Sequence, residues 1–307
     1  MNYMRTAVLL AALTAFFLVV GYLLGGQSGL VVALIAALGM NVFAYWNSDQ
    51  MVLRMSNARE IGPQDAPELW GIVQQLTQRA GLPMPKVYIA DEEQPNAFAT
   101  GRSPEHAAVC VNSGLLRLLS HEEVAGVLAH ELSHVRNRDT LTMTIAATLS
   151  GAIGMLASFG GMFGGGRDAN GNRVASPIVA IAAMFLAPLA ASLVQMAISR
   201  SREFEADRGG AELTGHPLWL ASALRKLERG TEQIPNETAD AHPAMAHLYI
   251  ANPLSGGGLA GLFATHPSMD ERVARLEAMA GGSTGAAASQ SPWGTAPSSA
   301  PRRGPWG

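Results

Sequence analysis

Long apolar runs mark two regions of the chain. Near the N-terminus, residues 6–24 and 30–46 contain no charged side chain. Each approaches the roughly 20 apolar residues that a helix needs to cross a bilayer. Only residues 25–29 separate them, and no A-x-A cleavage site follows the first run. This pattern predicts a retained transmembrane hairpin over residues 1–48 and disfavours a signal peptide.

A second apolar region predicts membrane helices less strongly. Its runs cover residues 140–162 and 177–199, and a glycine-rich loop joins them. Three residues that disfavour helix interrupt the runs: Gly151, Gly154 and Pro188. Membrane helices tolerate such residues when they pack on neighbours. We expect a transmembrane or membrane-associated hairpin over residues 140–199, with partial burial against the rest of the protein as the alternative.

Shorter periodic patterns lie outside these two regions. Apolar residues recur at helical spacing over residues 65–81 and again after Ser120, which forms a capping box with Glu123. Runs typical of strands cover residues 86–90 and 107–111. Three further helices are expected at 201–213, 216–230 and 270–279. The predicted fold is therefore mainly α with a small β-sheet.

Residues 96–100 lie between the two predicted strands, where they form either an edge strand or a simple connection. An edge strand could accept an extended peptide through its backbone groups. The sequence alone leaves both interpretations open.

These patterns divide the chain into consecutive parts. A first cytoplasmic part is expected at residues 49–139, between the two hairpins, and a second at residues 200–280. Residues 281–307 consist mainly of Gly, Ser, Ala and Pro, a composition typical of a disordered tail.

Composition and charge exclude several classes of protein and of binding site. Hydrophobic residues make up 48% of the chain and charged residues 15%, and the mean hydropathy is +0.16, which is unusual for a soluble enzyme. Cys110 is the only cysteine, which excludes both a disulfide framework and a cysteine-bound zinc. The net charge of -3 gives no reason to expect nucleic acid as a partner.

The distribution of arginines predicts the orientation in the membrane. The connection at residues 25–29 carries no charge, whereas many arginines flank the apolar runs on the opposite side. They are Arg5, Arg54, Arg59, Arg136, Arg138, Arg200, Arg202 and Arg208. By the positive-inside tendency, both termini and the parts between the hairpins face the cytoplasm.

The strongest chemical signal is the pentad His-Glu-Leu-Ser-His at residues 130–134, inside the helix that follows Ser120. Positions i and i+4 share one helix face, so His130 and His134 can bind one Zn²⁺. Such an ion lowers the pKa of a bound water, and the carboxylate of Glu131 can take its proton. A solvated helix face with two unused histidines is the less favoured interpretation.

A catalytic zinc usually needs a third protein ligand. A third histidine six residues after the second is excluded, because that position is Thr140. A carboxylate from a second helix is the remaining solution, and residues 199–207 offer Glu203, Glu205 and Asp207. Glu203 and Asp207 share a helix face, so one can bind the metal while the other makes a supporting hydrogen bond. Spacing favours Glu203 over Glu205 as the third ligand. The alternative is that these residues form a solvated charged turn that binds no metal.

The pentad, the apolar insert and the Ser-Arg-Ser-Arg-Glu-Phe-Glu-Ala-Asp segment together resemble the HtpX family of membrane metalloproteases, which is related to the CaaX prenyl proteases. The resemblance runs from about Met1 to Met279. It includes two further signatures: Asn96, Ala97, Phe98 and Ala99, and the segment from His266 to Arg272. Ser268 departs from the second proline that relatives often carry.

The resemblance implies the roles of several residues. It implies a gluzincin-like zinc metalloprotease domain on a helical membrane protein, with one Zn²⁺ per chain. Glu203 would be the third ligand, Asp207 its supporting partner, and Glu131 the catalytic base. His266 and Arg272 would steady the substrate or the oxyanion. The Asn96–Ala99 segment would bind substrate.

The resemblance also implies a biological task. The expected protein is a multi-pass protease of the bacterial inner membrane, with its active site in the cytoplasm. It would cleave damaged or unfolded membrane proteins under stress. One alternative is a CaaX-type prenyl-peptide protease, which needs a larger membrane chamber than four spans provide. Another is a non-catalytic scaffold with structural zinc, in which Glu131 has no purpose. Homo-oligomerisation is left open.

Overall fold

A computed structural model describes residues 2–146, 166–167, 173–174, 200–234, 236, 248–251 and 267–282. Most of the predicted second hairpin, His266 and residues 283–307 lie outside the described residues. Within the described residues the fold is mainly helical with a small mixed sheet, as predicted. A short antiparallel pair, β5 (Gly166–Arg167) with β6 (Arg173–Val174), lies inside the second apolar region.

The N-terminal helix α1 (Asn2–Met55) consists of two arms. Non-helical dihedral angles at Gly25 and Gly26 break it where the sequence predicts the connection between the apolar runs. The arms approach so closely that a Cβ on Gly29 would lie 2.1 Å from the carbonyl oxygen of Gly21. Asn41 Nδ2 also donates to Thr14 Oγ1 across the arms at 2.9 Å. The described arms therefore form a helical hairpin.

The second arm of α1 has two environments. Residues Gly25–Asn47 form a helix long and apolar enough to cross a membrane, and it is the one such helix found among the described residues. The arm then passes residue 48, where we expected the hairpin to end, and continues to Met55. Val52 and Leu53 in this extension are buried against the sheet. Packing on the sheet therefore extends the helix beyond its apolar run.

Four strands form the main sheet in the order β1-β2-β4-β3. They are β1 (Arg59–Ile61), β2 (Lys86–Ala90), β3 (Ala97–Gly101) and β4 (Ala107–Asn112). The pair β2–β4 is parallel, and the other two pairs are antiparallel. Residues 97–101 thus form an edge strand of the described sheet, which settles the choice between a strand and a connection.

Side chains alternate between the two faces of the sheet, as the period of two requires. Val87, Ala99 and Val109 face the main core, which is shared with the helices. Tyr88, Phe98 and Cys110 face the end of α1. The sheet therefore separates the helical core from the end of the N-terminal hairpin.

Five of the remaining helices match the predicted positions to within a few residues, whereas the short helix at Ser113–Leu118 was not predicted. They are α2 (Pro67–Ala80), α3 (Ser113–Leu118), α4 (His121–Arg136), α5 (Arg200–Thr214), α6 (Pro217–Gln233) and α7 (Met269–Gly282). Helix α4 is the centre of the core, since it packs against the sheet and against α2, α5 and α6. Nearly all of its residues from Glu123 to Val135 are buried.

The predicted capping box fixes the start of α4. Ser120 Oγ accepts from the Glu123 backbone N–H, and Glu123 Oε2 accepts from the Ser120 backbone N–H at 2.8 Å. The same carboxylate also accepts from Lys226 Nζ and Ser222 Oγ of α6, each at 2.7 Å. Glu123 therefore joins the start of α4 to α6.

We expect Glu123→Gln to lower the free energy of unfolding by about 1–3 kcal/mol at neutral pH, because a buried carboxylate with charged and polar donors is lost. Burial raises the pKa of Glu123, but the hydrogen bonds from Lys226, Ser120 and Ser222 together lower it. This stabilisation is therefore complete above the unfolded-state pKa of about 4.3 and is lost as the pH falls through the lower folded-state pKa.

Equilibrium denaturation in detergent at several pH values measures this effect. The exposed neighbour Glu122 gives the control, since Glu122→Gln should change the stability by less than about 0.5 kcal/mol. A difference between wild type and Glu123→Gln that stays constant down to about pH 2 contradicts the assignment.

Candidate metal centre

Helices α4 and α5 bring three buried ligand groups together. His130, His134 and Glu203 each offer one ligand atom, and these atoms lie within 4.8 Å of one another. His130 Nε2 is 3.9 Å from Glu203 Oε2, and His134 Nε2 is 3.6 Å from Glu203 Oε1. The structure therefore juxtaposes the two histidines of the pentad with one carboxylate from the second half of the chain.

The choice between Glu203 and Glu205 follows from the orientation of α5. Glu203 lies in its first turn and is buried, whereas Glu205 is exposed. Asp207, one turn after Glu203, is buried beside His130. The face that carries Glu203 and Asp207 therefore packs against the pentad.

Small residues allow the two helices to approach so closely. A Cβ on Gly210 would lie 2.8 Å from the His130 backbone nitrogen, and one on Gly209 would lie 2.7 Å from Ser133 Oγ. On the other side of α4, a Cβ on Gly126 would lie 2.8 Å from the Leu220 nitrogen of α6. Larger side chains at these positions would push the helices apart and separate Glu203 from the histidines.

Each histidine also has a carboxylate at its other ring nitrogen. His130 Nδ1 lies 2.9 Å from Asp207 Oδ1, and His134 Nδ1 lies 3.3 Å from Asp139 Oδ2. At His134 the carboxylate forms a hydrogen bond with Nδ1, and a carboxylate in this place holds the proton on Nδ1 and leaves the Nε2 lone pair for a metal. Asp207 Oδ1 approaches His130 Nδ1 without the angle of a hydrogen bond. Both Nε2 atoms face Glu203, so this arrangement is the one that a bound metal needs.

These residues fit a zinc ion. Ligand atoms about 2.1 Å from zinc in a tetrahedral site are about 3.4 Å apart, close to the separations from Glu203 to the two histidines. The charge of the buried cluster also favours a bound cation. The cluster buries the carboxylates of Glu131, Glu203, Asp139 and Asp207 around two imidazoles, and Arg272 contributes one guanidinium. A divalent cation would offset the remaining negative charge.

Glu131 faces both the candidate metal ligands and the edge strand. Its side chain is buried, and Oε2 accepts a hydrogen bond from the Ala99 backbone N–H at 2.9 Å. Burial raises the pKa of this carboxyl group. The hydrogen bond fixes the carboxylate between α4 and β3, the position required of a base that acts on a substrate at this edge.

Arg272 has a different environment from the one expected. Its side chain is fully buried, and Nε and Nη2 donate to the two oxygens of Asp207 at 2.9 and 2.7 Å. Burial opposes the charge on Asp207, but Arg272 lowers its pKa to about 2. Nη1 donates to the carbonyl oxygen of Ile250 at 3.3 Å. In this structure the guanidinium binds protein groups and supports Asp207, and the expected role of Arg272 toward the substrate stays a prediction.

Asn96, from the predicted substrate-binding segment, binds another part of the chain in this structure. Its Oδ1 accepts from the Ile250 backbone N–H at 3.1 Å, and its Nδ2 donates to the Leu248 carbonyl oxygen at 3.4 Å. No local pattern predicts a role for residues 248–251, which lie within the stretch 231–265 that has no clear periodicity. Ala97, Phe98 and Ala99 are buried as well.

Residues 248–251 help to cover the site. A cavity between Glu131 and this segment has a volume of about 10 Å³ and is lined by Met143, Leu248, Tyr249 and Ile250, among others. This is room for about one water molecule. A peptide therefore requires these covering residues to move before it can reach Glu131.

We expect Arg272→Met to lower the free energy of unfolding by about 3–5 kcal/mol, because the buried Asp207 carboxylate would lose its charged partner. Arg208→Met is the matched control, since Arg208 forms an exposed pair with Glu212 at 3.8 Å. That pair contributes at most about 0.5 kcal/mol. Denaturation in detergent compares the two variants, and equal effects would contradict the structural role of Arg272.

The chain is similar to several known proteins. The model of peptidase family M48 matches residues 63–280. A protein described as Protease HtpX homolog from Methylibium petroleiphilum is 59% identical over 278 residues, which cover 91% of this chain and 98% of that protein. The crystal structure of S. mikatae Ste24p is similar with a TM-score of 0.49 and 18% identity, over 90% of this chain and 65% of that chain. This chain therefore covers less than two thirds of Ste24p.

The family match covers more than half of the chain, and the HtpX homolog is similar over nearly its whole length. Both findings confirm the resemblance that the sequence motifs predicted. The chain belongs to peptidase family M48 and is an HtpX-type metalloprotease.

Proposed function

We propose that this metalloprotease is a zinc-dependent endopeptidase that cleaves damaged or misfolded membrane proteins at the cytoplasmic face of the bacterial inner membrane. The observation that carries the proposal is the buried cluster of His130, His134 and Glu203, with Glu131 held between it and the edge strand β3. The proposed metal ligands, the proposed base and the strand edge that would bind a peptide therefore lie next to one another.

His130, His134 and Glu203 would hold one Zn²⁺ per chain. Zinc supplies Lewis-acid polarisation of the peptide carbonyl and lowers the pKa of water. A carboxylate lies near the Nδ1 atom of each histidine, Asp207 beside His130 at 2.9 Å and Asp139 beside His134 at 3.3 Å. Arg272 in turn holds Asp207 through two hydrogen bonds.

Glu131 acts as the general base and then as the general acid. It accepts a proton from the attacking water and passes it to the leaving amine. The Ala99 N–H holds Oε2, so the carboxylate stays oriented toward a peptide at the edge of β3. His266 remains the candidate for a hydrogen bond to the oxyanion, a role that rests on the family resemblance.

The substrate binds as an added strand along β3. The outer edge of this strand is the natural place for an extended peptide, because its partner β4 occupies only the inner edge. Asn96 to Ala99 would then contact the peptide. Asn96 binds backbone groups of Leu248 and Ile250, and a peptide backbone would offer its carboxamide the same kind of donor and acceptor. Substrate entry requires displacement of this segment.

Membrane attachment restricts the substrates. Large apolar side chains on the second arm of α1 are more than half exposed, which suits contact with lipid: Val31, Val32, Ile35, Leu38, Val42, Phe43 and Trp46. The end of the same helix packs on the sheet that carries β3. The active site is thus held near the bilayer, where loops and unfolded ends of membrane proteins are the accessible substrates. The flanking arginines favour the cytoplasmic side.

The decisive test is Glu131→Gln in the full-length protein. We expect it to retain zinc, because Glu131 is not among the proposed ligands, and to lose cleavage by at least about 100-fold, the lower range for removal of a general base. The substrate is a membrane protein with one unfolded loop on each side of an oriented bilayer. Wild type should cut only the cytoplasmic loop.

Each outcome of this test is informative. Undiminished cleavage by Glu131→Gln would remove this residue as the base. Cleavage of the opposite loop would reverse the proposed orientation. An absence of zinc from active wild-type protein would exclude the metal mechanism itself.

A second test concerns the third ligand. We expect Glu203→Ala to weaken zinc binding by several orders of magnitude, since one of three protein ligands is lost. Glu205→Ala is the matched control, because Glu205 is exposed on the same helix and should leave zinc binding unchanged. Zinc content after dialysis against a chelator gives the result. The reverse pattern would assign the metal to Glu205.

A further inference from the structure

The chain makes an unusual turn directly after the histidine helix. Arg138 adopts a left-handed conformation with φ 59, which is unfavourable for a side chain other than glycine. Arg138 N–H donates to the Val135 carbonyl at 3.0 Å, and Asp139 N–H donates to the His134 carbonyl at 2.9 Å. These bonds close the end of α4 and start a new helical segment at residue 140.

The turn changes what Asp139 can contact. On a continuous helix, a residue five positions after His134 would point about 140° away from it. In this structure the left-handed residue redirects the chain. Asp139 Oδ2 lies 3.3 Å from His134 Nδ1, and Asp139 is only 1% exposed. The unfavourable backbone at Arg138 is therefore coupled to a buried contact with a proposed metal ligand.

We propose that the turn at Arg138 makes Asp139 a positioning residue for His134. The carboxylate accepts a hydrogen bond from Nδ1–H and holds the ring so that Nε2 faces Glu203. Asp207 makes the corresponding contact with His130 at 2.9 Å, but it comes from α5. The two histidines are thus fixed from opposite parts of the chain. This inference rests on the proposed function, because it takes His134 as a metal ligand.

Asp139 also occupies a place where a purely structural role is common. It precedes the helical residues 140–146, and aspartate is a favoured residue before the first turn of a helix. Serine caps a helix about as well as aspartate. Its hydroxyl is too short to reach His134 from the same backbone position. Asp139→Ser therefore separates the two roles.

The experiment measures zinc affinity by competition with a chelator, using the full-length protein in detergent. We expect Asp139→Ser to raise the Kd for Zn²⁺ about 10- to 100-fold, the range for removing a partner of a metal-bound histidine. The thermal midpoint of the metal-free protein should stay unchanged. Asp139→Asn should raise the Kd less, because its amide oxygen can still accept from Nδ1. Arg138→Gly should leave the Kd within about twofold, since glycine adopts the same turn freely.

The outcomes distinguish this inference from the proposed function. A wild-type Kd for Asp139→Ser, together with a lowered thermal midpoint for Asp139→Ala, would assign Asp139 to helix capping and overturn the inference. His134→Ala provides the reference. If it leaves the zinc affinity unchanged, the proposed metal site itself fails. If it abolishes binding while Asp139→Ser binds normally, only the positioning role fails.

Discussion

Buried negative charge is the constraint that organises this protein. The core around α4 and α5 buries the carboxylates of Glu131, Glu203, Asp139 and Asp207. Burying so many like charges is unfavourable unless each has a partner. Arg272 satisfies Asp207, and the imidazoles satisfy part of the rest. A divalent cation between the histidines and Glu203 would offset most of the remaining negative charge, and its binding would then be coupled to folding of this core.

The position of these charges depends on a rigid apolar support. Helix α4 starts at a capping box that is tied to α6, and it packs against α5 where Gly209 and Gly210 remove side-chain bulk. Catalytic groups held in this way lose little entropy when substrate binds. The same packing explains why the pentad lies on a helix that is buried almost along its full length.

The sequence predicts the local parts of this arrangement better than the distant ones. His130 and His134 are four residues apart on one helix, so their common face follows from helical geometry. Spacing favoured Glu203 over Glu205 but could not place Glu203 beside the histidines, because the rotation of α5 depends on its packing. The three-residue strand β1 is too short to show a period. The role of Arg272 and the cover formed by residues 248–251 depend on contacts between distant segments, for which local patterns carry no signal.

Access to the site follows from the same packing. The face of the sheet opposite the core holds the end of α1, while the outer edge of β3 is covered. Thr100 at this edge is hydrogen-bonded to Thr144, in the first helical turns of the second apolar region. Both apolar regions are thus joined to the strand proposed to bind substrate. A movement of either region relative to the sheet would change the space at β3.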